Sequence, residues 1–263
     1  MIKTLKNKLF ATLCVTALTL GAVTATSTFN SVQAADKTVY VDVEKNVMGQ
    51  APILQPKAVI LDDSKTIYDA TKNAVSSDNI DGNTSGSYIK AFKDTASFNY
   101  AKYKYAKQLP AIVTDTTTAY NQKIVSDPNW LREKEYNGIS GWMFTVNNTD
   151  HDSSYNYYTA ATPISSLPNG AVIRWEFSMA CGCDLGNAGW MPDGTVTNGY
   201  YNWNTSSTGP FFTRADKTTL IKAMANHSDK TDSSYTNALN DLKNLTIQQA
   251  AVDDDYDASG VLK

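Results

Sequence analysis

The chain has 263 residues, 23 of them Lys or Arg against 26 Asp or Glu, for a net charge of −3. That acidic balance argues against nucleic acid as the main partner. Three cysteines are too few to staple a chain of this length, which must be held by an apolar core.

Met1 to Ala34 reads as a secretory signal. Lys3, Lys6 and Lys8 open it, an apolar stretch runs from Leu9 to about Val23, and Val32-Gln33-Ala34 is a small-x-small cleavage site. Its removal takes three lysines and no acid, leaving 229 residues at a net charge of −6. No second long apolar run follows, so no transmembrane segment is expected. The chain reads as secreted or extracellular.

Thr38 to Glu44 alternates Val39, Val41 and Val43 with polar residues, the period of a half-buried strand. Ala58 to Leu61 is a second strand, and Asp62-Asp63-Ser64 offers turn and cap residues. Ile67, Ala70, Thr71 and Ala74 share one face of a helix predicted over Thr66 to Val75. Ser76 to Ser87 is a polar loop, and Tyr88 to Phe92 a brief apolar element. From Asp94 to Asn129 little is legible. Tyr100, Tyr103 and Tyr105 interleave with Lys102, Lys104 and Lys107, a pattern that fits a solvated edge or a surface for anionic polymers. Thr114 to Thr118 is a strand edge or loop.

Gly141 to Asn147 places Trp142, Phe144 and Val146 on one face, and Ala171 to Ser178 does the same with Ile173, Trp175 and Phe177. Pro168-Asn169-Gly170 marks a turn before the latter, and the two strands read as an antiparallel pair. Cys181 to Pro210 is rich in Gly, Asn and aromatics and is expected to be irregular. Three helices follow: one with Leu220, Ile221 and Met224, one capped by Asp232 or Ser233 with Tyr235, Leu239, Leu242 and Leu245, and one from Thr246 to Tyr256.

The chemistry-bearing residues are few. Cys181-Gly182-Cys183 can be a strained local bridge or two free thiols. With only His151 and His227 in the chain, a zinc site lacks ligands. His227 follows a helix end, where a cation suits the dipole. His151 lies in a loop between Asp150 and Asp152 with no nucleophile at a telling spacing, so no catalytic residue is assigned. Ser77 to Gly82 has part of a calcium-loop pattern, but position twelve is Tyr88 rather than a glutamate.

Aromatic residues carry the stronger signal. Of 15 Tyr and 5 Trp, eleven fall between Trp130 and Trp203. Trp142 and Trp175 sit at strand positions and read as core. Tyr155, Tyr157, Tyr158, Tyr200, Tyr201 and Trp203 lie among Asn, Ser, Thr and Gly, a composition of binding loops suited to a sugar, a tetrapyrrole-like macrocycle or a peptide.

Ser140-Gly141-Trp142-Met143-Phe144-Thr145-Val146-Asn147-Asn148, then Asn169-Gly170-Ala171-Val172-Ile173-Arg174-Trp175-Glu176-Phe177 and Asp184-Leu185-Gly186, resemble the transcobalamin-like C-terminal domain family of secreted Gram-positive proteins. Val43-Glu44-Lys45, Gly49, Pro56, Val59 and Thr66-Ile67-Tyr68-Asp69 extend the likeness across about Val39 to Ala225. Ala171 stands where the family has Asp, and Ser64-Lys65 where it has Gly-Glu. Thr246 to Asp253 is similar to FIVAR-type helical surface modules. The resemblance implies an α+β, β-grasp-like mixed sheet with a packed helix over 38–212, then a small helical tail over 213–263. It also implies a non-catalytic binding protein that takes cobalamin or a related corrinoid as ligand, with no resident cofactor and no bound metal. A cell-surface adhesion module for cell-wall glycan or a host polymer is the alternative, and a membrane transporter or a cell-wall component would be the partner.

In the resemblance, the ligand-facing side is built by the loops Asn147–Tyr158 and Ser178–Trp190, with Tyr200 to Trp203 beside them. The expected site is therefore Tyr155, Tyr157, Tyr158, Trp190, Tyr200 and Trp203 on the ligand face and Asn147, Asn148 and Asp184 at its polar rim. His151 is available as an imidazole ligand to cobalt.

Overall fold

The computed structural model describes residues 36–94, 98–116 and 124–263. The expected secretory signal, and part of the threonine-rich 114–118 segment, lie outside these residues. The chain is an α+β protein, and the described residues form one compact unit.

The alternating segments form one four-stranded mixed sheet. Strands β1 (Asp36–Glu44) and β2 (Leu54–Asp62) are antiparallel. Numbering passes through α1 (Ile67–Val75) and a small three-stranded sheet of β3 (Ile80–Gly82), β4 (Ile89–Lys93) and β5 (Trp130–Arg132) before reaching β6 (Gly141–Val146) and β7 (Ala171–Ser178). The order in the large sheet is β2-β1-β7-β6, with β1 parallel to β7 and the outer pairs antiparallel. A central parallel pair joined by a long crossover that carries the packed helix is the β-grasp arrangement expected. Strand β2 is longer than its apolar run suggested. As an edge strand it tolerates Pro56, whose missing N–H would disrupt a central position.

The valines of β1 pair with Ala171, Ile173 and Trp175, so one face of the sheet is continuously apolar. Helix α1 packs there through the buried Ile67, Ala70 and Ala74, and the Trp175 indole N–H donates to Thr71 Oγ1 at 2.9 Å. Its cap is Thr66, in a capping box with Asp69, rather than a residue of 62–64; Asp62 instead accepts from the Ser64 N–H and closes the preceding turn. Phe92 of β4 meets Trp142 and Trp175 edge-on, with centroids 4.6 and 5.8 Å apart, and so fastens the small sheet to the same face.

The other face is not solvated. Helices α2 (Thr218–Asn226), α3 (Ser233–Lys243) and α4 (Gln249–Asp254) cover it, with Leu220, Ile221, Met224, Tyr235, Leu242 and Val252 packed together and against Val172 and Tyr40 of the sheet. Asp232 caps α3 as expected, accepting from the Tyr235 N–H, while the last helix begins at Gln249, three residues later than the spacing suggested. Residues 213–263 are thus a layer of the domain and not a free-standing spacer.

Between sheet and helices lies a buried ionic layer. Arg174 donates from Nε and Nη2 to Glu44, both at 2.8 Å, and its Nη2 lies 3.1 Å from Glu176, which also pairs with Arg214 at 3.0 Å. Burial alone would raise Glu44, but the guanidinium holds it below its ordinary value; the two glutamates in turn keep Arg174 firmly protonated against its own burial. Lys217 is buried as well and caps the end of α3 through the carbonyls of Leu242 and Asn244, at 2.6 and 2.8 Å. Burial, helped by Arg174, pushes its pKa down to about 7.

Asp42 is fully buried opposite Arg174 in the ladder, yet neither of its oxygens accepts a hydrogen bond. Burial, and then the Glu44 charge, push its carboxyl well above the usual range, so it is held as the neutral acid, which can donate to Glu44. The folded chain therefore keeps this proton to higher pH than the unfolded chain does, and stability falls as the pH rises from the ordinary carboxylate value toward the folded one. Asp42→Asn should abolish that fall. Its melting temperature should exceed that of the native chain at pH 8 and converge with it toward pH 4; a gap independent of pH would contradict this. Arg174→Met leaves the buried Glu44 without its ionic partner, Glu176 keeping Arg214, and should cost about 3–5 kcal/mol in a urea melt.

Candidate functional site

Strand direction decides which expected site residues meet. Strands β6 and β7 are antiparallel, with Gly141 opposite Ser178 and Val146 opposite Ile173. The loop after β6 therefore leaves at one end of the pair and the loop after β7 at the other, separated by about 17 Å of strand at ~3.4 Å per residue. The ten expected residues fall into two groups, and the structure does not bring these groups together.

The first group follows β6. Asn147 and Asn148, with φ of 48° and 65°, make the tight turn after the strand. Asn147 is bound to Val172, accepting from its N–H and donating its own N–H to its carbonyl, both at 2.9 Å, so it staples the sheet. Beyond it a small loop winds on Asp152, which accepts from the Ser154 and Asn156 N–H groups. His151 stacks on Tyr155 at 4.7 Å, meets Tyr157 edge-on at 6.1 Å, and its Nδ1 lies 2.6 Å from Asp150. Tyr155 and Tyr157 are highly exposed, and Tyr158 is half-buried.

The second group follows β7. Asp184 is fully buried and accepts from Ser178 Oγ (2.6 Å), the Met179 N–H (2.9 Å) and the Tyr103 hydroxyl (2.7 Å). Burial raises its pKa despite these bonds. It organises the turn and offers no open rim to a ligand. Ser178 Oγ in turn accepts from the Ala180 and Gly182 N–H groups, and the chain passes through left-handed Cys181 and Gly182. Gly189 closes over this turn, where a Cβ would meet the Cys181 carbonyl oxygen at 2.0 Å. Both thiols are free. Burial, followed by the neighbouring Cys183, pushes Cys181 up to about 12, so it stays protonated and weakly nucleophilic.

The segment expected to be irregular contains a hairpin, β8 (Pro192–Thr197) and β9 (Tyr200–Trp203). Its turn is Asn198-Gly199, both at positive φ, the residue pair a two-residue hairpin favours. Tyr201 is buried and its hydroxyl donates to the Ile112 carbonyl at 3.4 Å, which leaves Tyr200 and Trp203 outside. These two rings, with Tyr88, Trp142, Met143 and Cys181, line an open trough of about 580 Å³ at the Gly141–Ser178 end of the sheet. Tyr200, Trp203 and Tyr88 are 54%, 47% and 46% exposed, so ring faces stand at the rim. The Tyr88 hydroxyl donates to Glu133, which supplies a carboxylate there, and Lys134 and Ser140 add further polar groups. Trp190 is exposed but lies outside the trough.

Tyr88, Met143 and Glu133 were not singled out in the sequence because they belong to separate elements; the Asn-Gly dipeptide was the signal that could have placed Tyr200 and Trp203. Among the described residues, no group of three His, Cys, Asp or Glu could hold a metal ion, and no helix is long and apolar enough to cross a membrane. No family model, curated protein or solved structure matches the chain.

Asp184→Ala should act on the fold. Losing three bonds at a buried carboxylate should lower stability by about 3 kcal/mol or more, read by urea unfolding, whereas a surface rim residue would leave the midpoint unchanged.

Proposed function

We propose that the chain is a secreted or cell-surface binding protein without catalytic activity, and that its ligand seat is the aromatic trough at the Gly141–Ser178 end of the sheet. The observation that carries this reading is the convergence of Tyr200, Trp203 and Tyr88, half-exposed, on one cavity of small-ligand size with a few polar groups. Both histidines are engaged with aspartates, His151 with Asp150 and His227 with Asp232, and among the described residues neither is bonded to a hydroxyl or thiol, which supports binding over nucleophilic chemistry.

The resemblance to the transcobalamin-like family makes a corrinoid such as cobalamin the first ligand, its flat ring system lying on the aromatic rim. A membrane transporter or a cell-wall component would then receive it. A glycan of the cell wall or of a host surface is the second reading, favoured by the open form of the trough, since exposed Tyr and Trp faces also suit sugar rings. His151 lies at the other end of the sheet and has no part in this seat.

Mixing the mature chain with cobalamin should shift the visible corrin spectrum, whereas retention on peptidoglycan without a shift would favour the glycan. In either case Tyr200→Ala with Trp203→Ala should weaken binding by about 10-fold per ring at an unchanged melting temperature. Tyr155→Ala with Tyr157→Ala should leave affinity intact; the reverse pattern would move the seat to the His151 loop.

A further inference from the structure

The lysines of the basic aromatic stripe at residues 100–107 belong neither to the core nor to the trough. Tyr103 and Tyr105 turn inward and are buried, while Lys102 and Lys104 remain exposed. These two lysines line a separate groove of about 530 Å³, whose other walls are the turn at Asn46–Met48 with Gly49 and the segment from Lys243, in the last turn of α3, to Thr246. Three lysines from stretches some 140 residues apart in sequence thus meet on one groove, and no carboxylate lines it.

Among the described residues, Lys102, Lys104 and Lys243 take part in no ion pair. Lys104 Nζ lies 5.2 Å from the centroid of the Tyr105 ring, a contact that positions the ammonium without neutralising it. Asn99 and Asn244 use their side-chain oxygens locally, accepting from the Ala101 and Thr246 N–H groups at 3.0 and 3.2 Å. Both residues line the groove, and among the described residues their NH₂ groups make no hydrogen bond. Gly49, at φ 67°, has no atom within 4 Å of where a Cβ would stand, so the backbone is open to an incoming ligand there. On a mature chain of net charge −6, three like charges gathered without an acid repel one another, and an anionic ligand removes that cost.

We propose that this groove binds phosphate groups of a chain-like polyanion, with Lys102, Lys104 and Lys243 each meeting one phosphate and the asparagine amides donating between them. Lysine suits the role as a compact point charge for phosphate oxygens. The groove is distinct from the aromatic trough, so the two readings stand or fall separately.

The test is calorimetric titration of the mature chain with linear polyphosphate and with inorganic phosphate, between about 0.05 and 0.2 M salt. Polyphosphate should bind, more tightly than inorganic phosphate, with affinity falling steeply as salt rises. At roughly five-fold per lysine, the triple variant Lys102→Gln, Lys104→Gln, Lys243→Gln should lose on the order of 100-fold at low salt, and Lys107→Gln, from the same stripe but outside the groove, should lose little. On the native chain, bound polyphosphate should protect Lys102, Lys104 and Lys243 from acetylation and leave Lys107 reactive, a readout independent of how the variant folds. Absence of binding, equal losses in the triple variant and Lys107→Gln, or protection spread evenly over all four lysines would overturn the proposal. Inorganic phosphate binding as tightly as polyphosphate would overturn the polymer assignment.

Discussion

The bidentate pair of Arg174 with Glu44 joins the two central strands from the side that the sequence leaves polar. Ladder hydrogen bonds alone would set β1 beside β7, but the pair, extended through Glu176 to Arg214, also ties the sheet to the chain leading into the helical layer. Charges removed from water to this extent need near-complete pairing, because each unpaired ion carries a desolvation cost of several kcal/mol. Two members lack ionic partners of their own. Asp42 is held neutral, and Lys217 is drawn toward neutrality while its amine caps α3. The layer falls on the polar positions of the β1–β7 register, where Asp42 lies opposite Arg174 and Glu44 opposite Glu176.

With β7 central and buried along its whole length, the proposed ligand contact falls on the segments beyond the strand ends. At the end of β7 the Ser178–Asp184 turn is locked by hydrogen bonds to a buried carboxylate, which makes a rigid floor. The β8–β9 hairpin, anchored by Tyr201, holds two rings above it. Rigid elements presenting half-exposed aromatics lose little conformational entropy when a ligand arrives. At the opposite end, His151 stacks on Tyr155 and holds Asp150 through Nδ1, within a loop of its own.

Much of the fold was legible because period-two alternation survives in β1, β6 and β7, and because Ile67, Ala70 and Ala74 recur at helical spacing. The alternation nevertheless misled about the second face. Thr38 to Glu44 read as a half-buried strand, and only the helical layer, far away in sequence, buries the polar side with Asp42 and Glu44. The site was half legible. Composition marked the aromatic loops, and the antiparallel pairing that separates Tyr157 from Trp203 was legible as well, but not the gathering of Tyr88, Glu133 and Met143 from other elements. Asp184, readable as a rim acid, is inside because Tyr103, 81 residues earlier, donates to it. The stretch from Asp94 to Asn129 stayed obscure because, where described, it folds as short 3₁₀ turns, too brief to impose a period.

The proposed seat at the Gly141–Ser178 end is tested most directly by a backbone amide NMR titration of the chain without its expected signal, run once with cobalamin and once with soluble peptidoglycan fragments. Resonances of Ser140 to Met143 and of Tyr200 to Trp203 should shift with the ligand that binds, while those of His151 to Tyr158 stay in place. Shifts confined to His151 to Tyr158 would contradict the account.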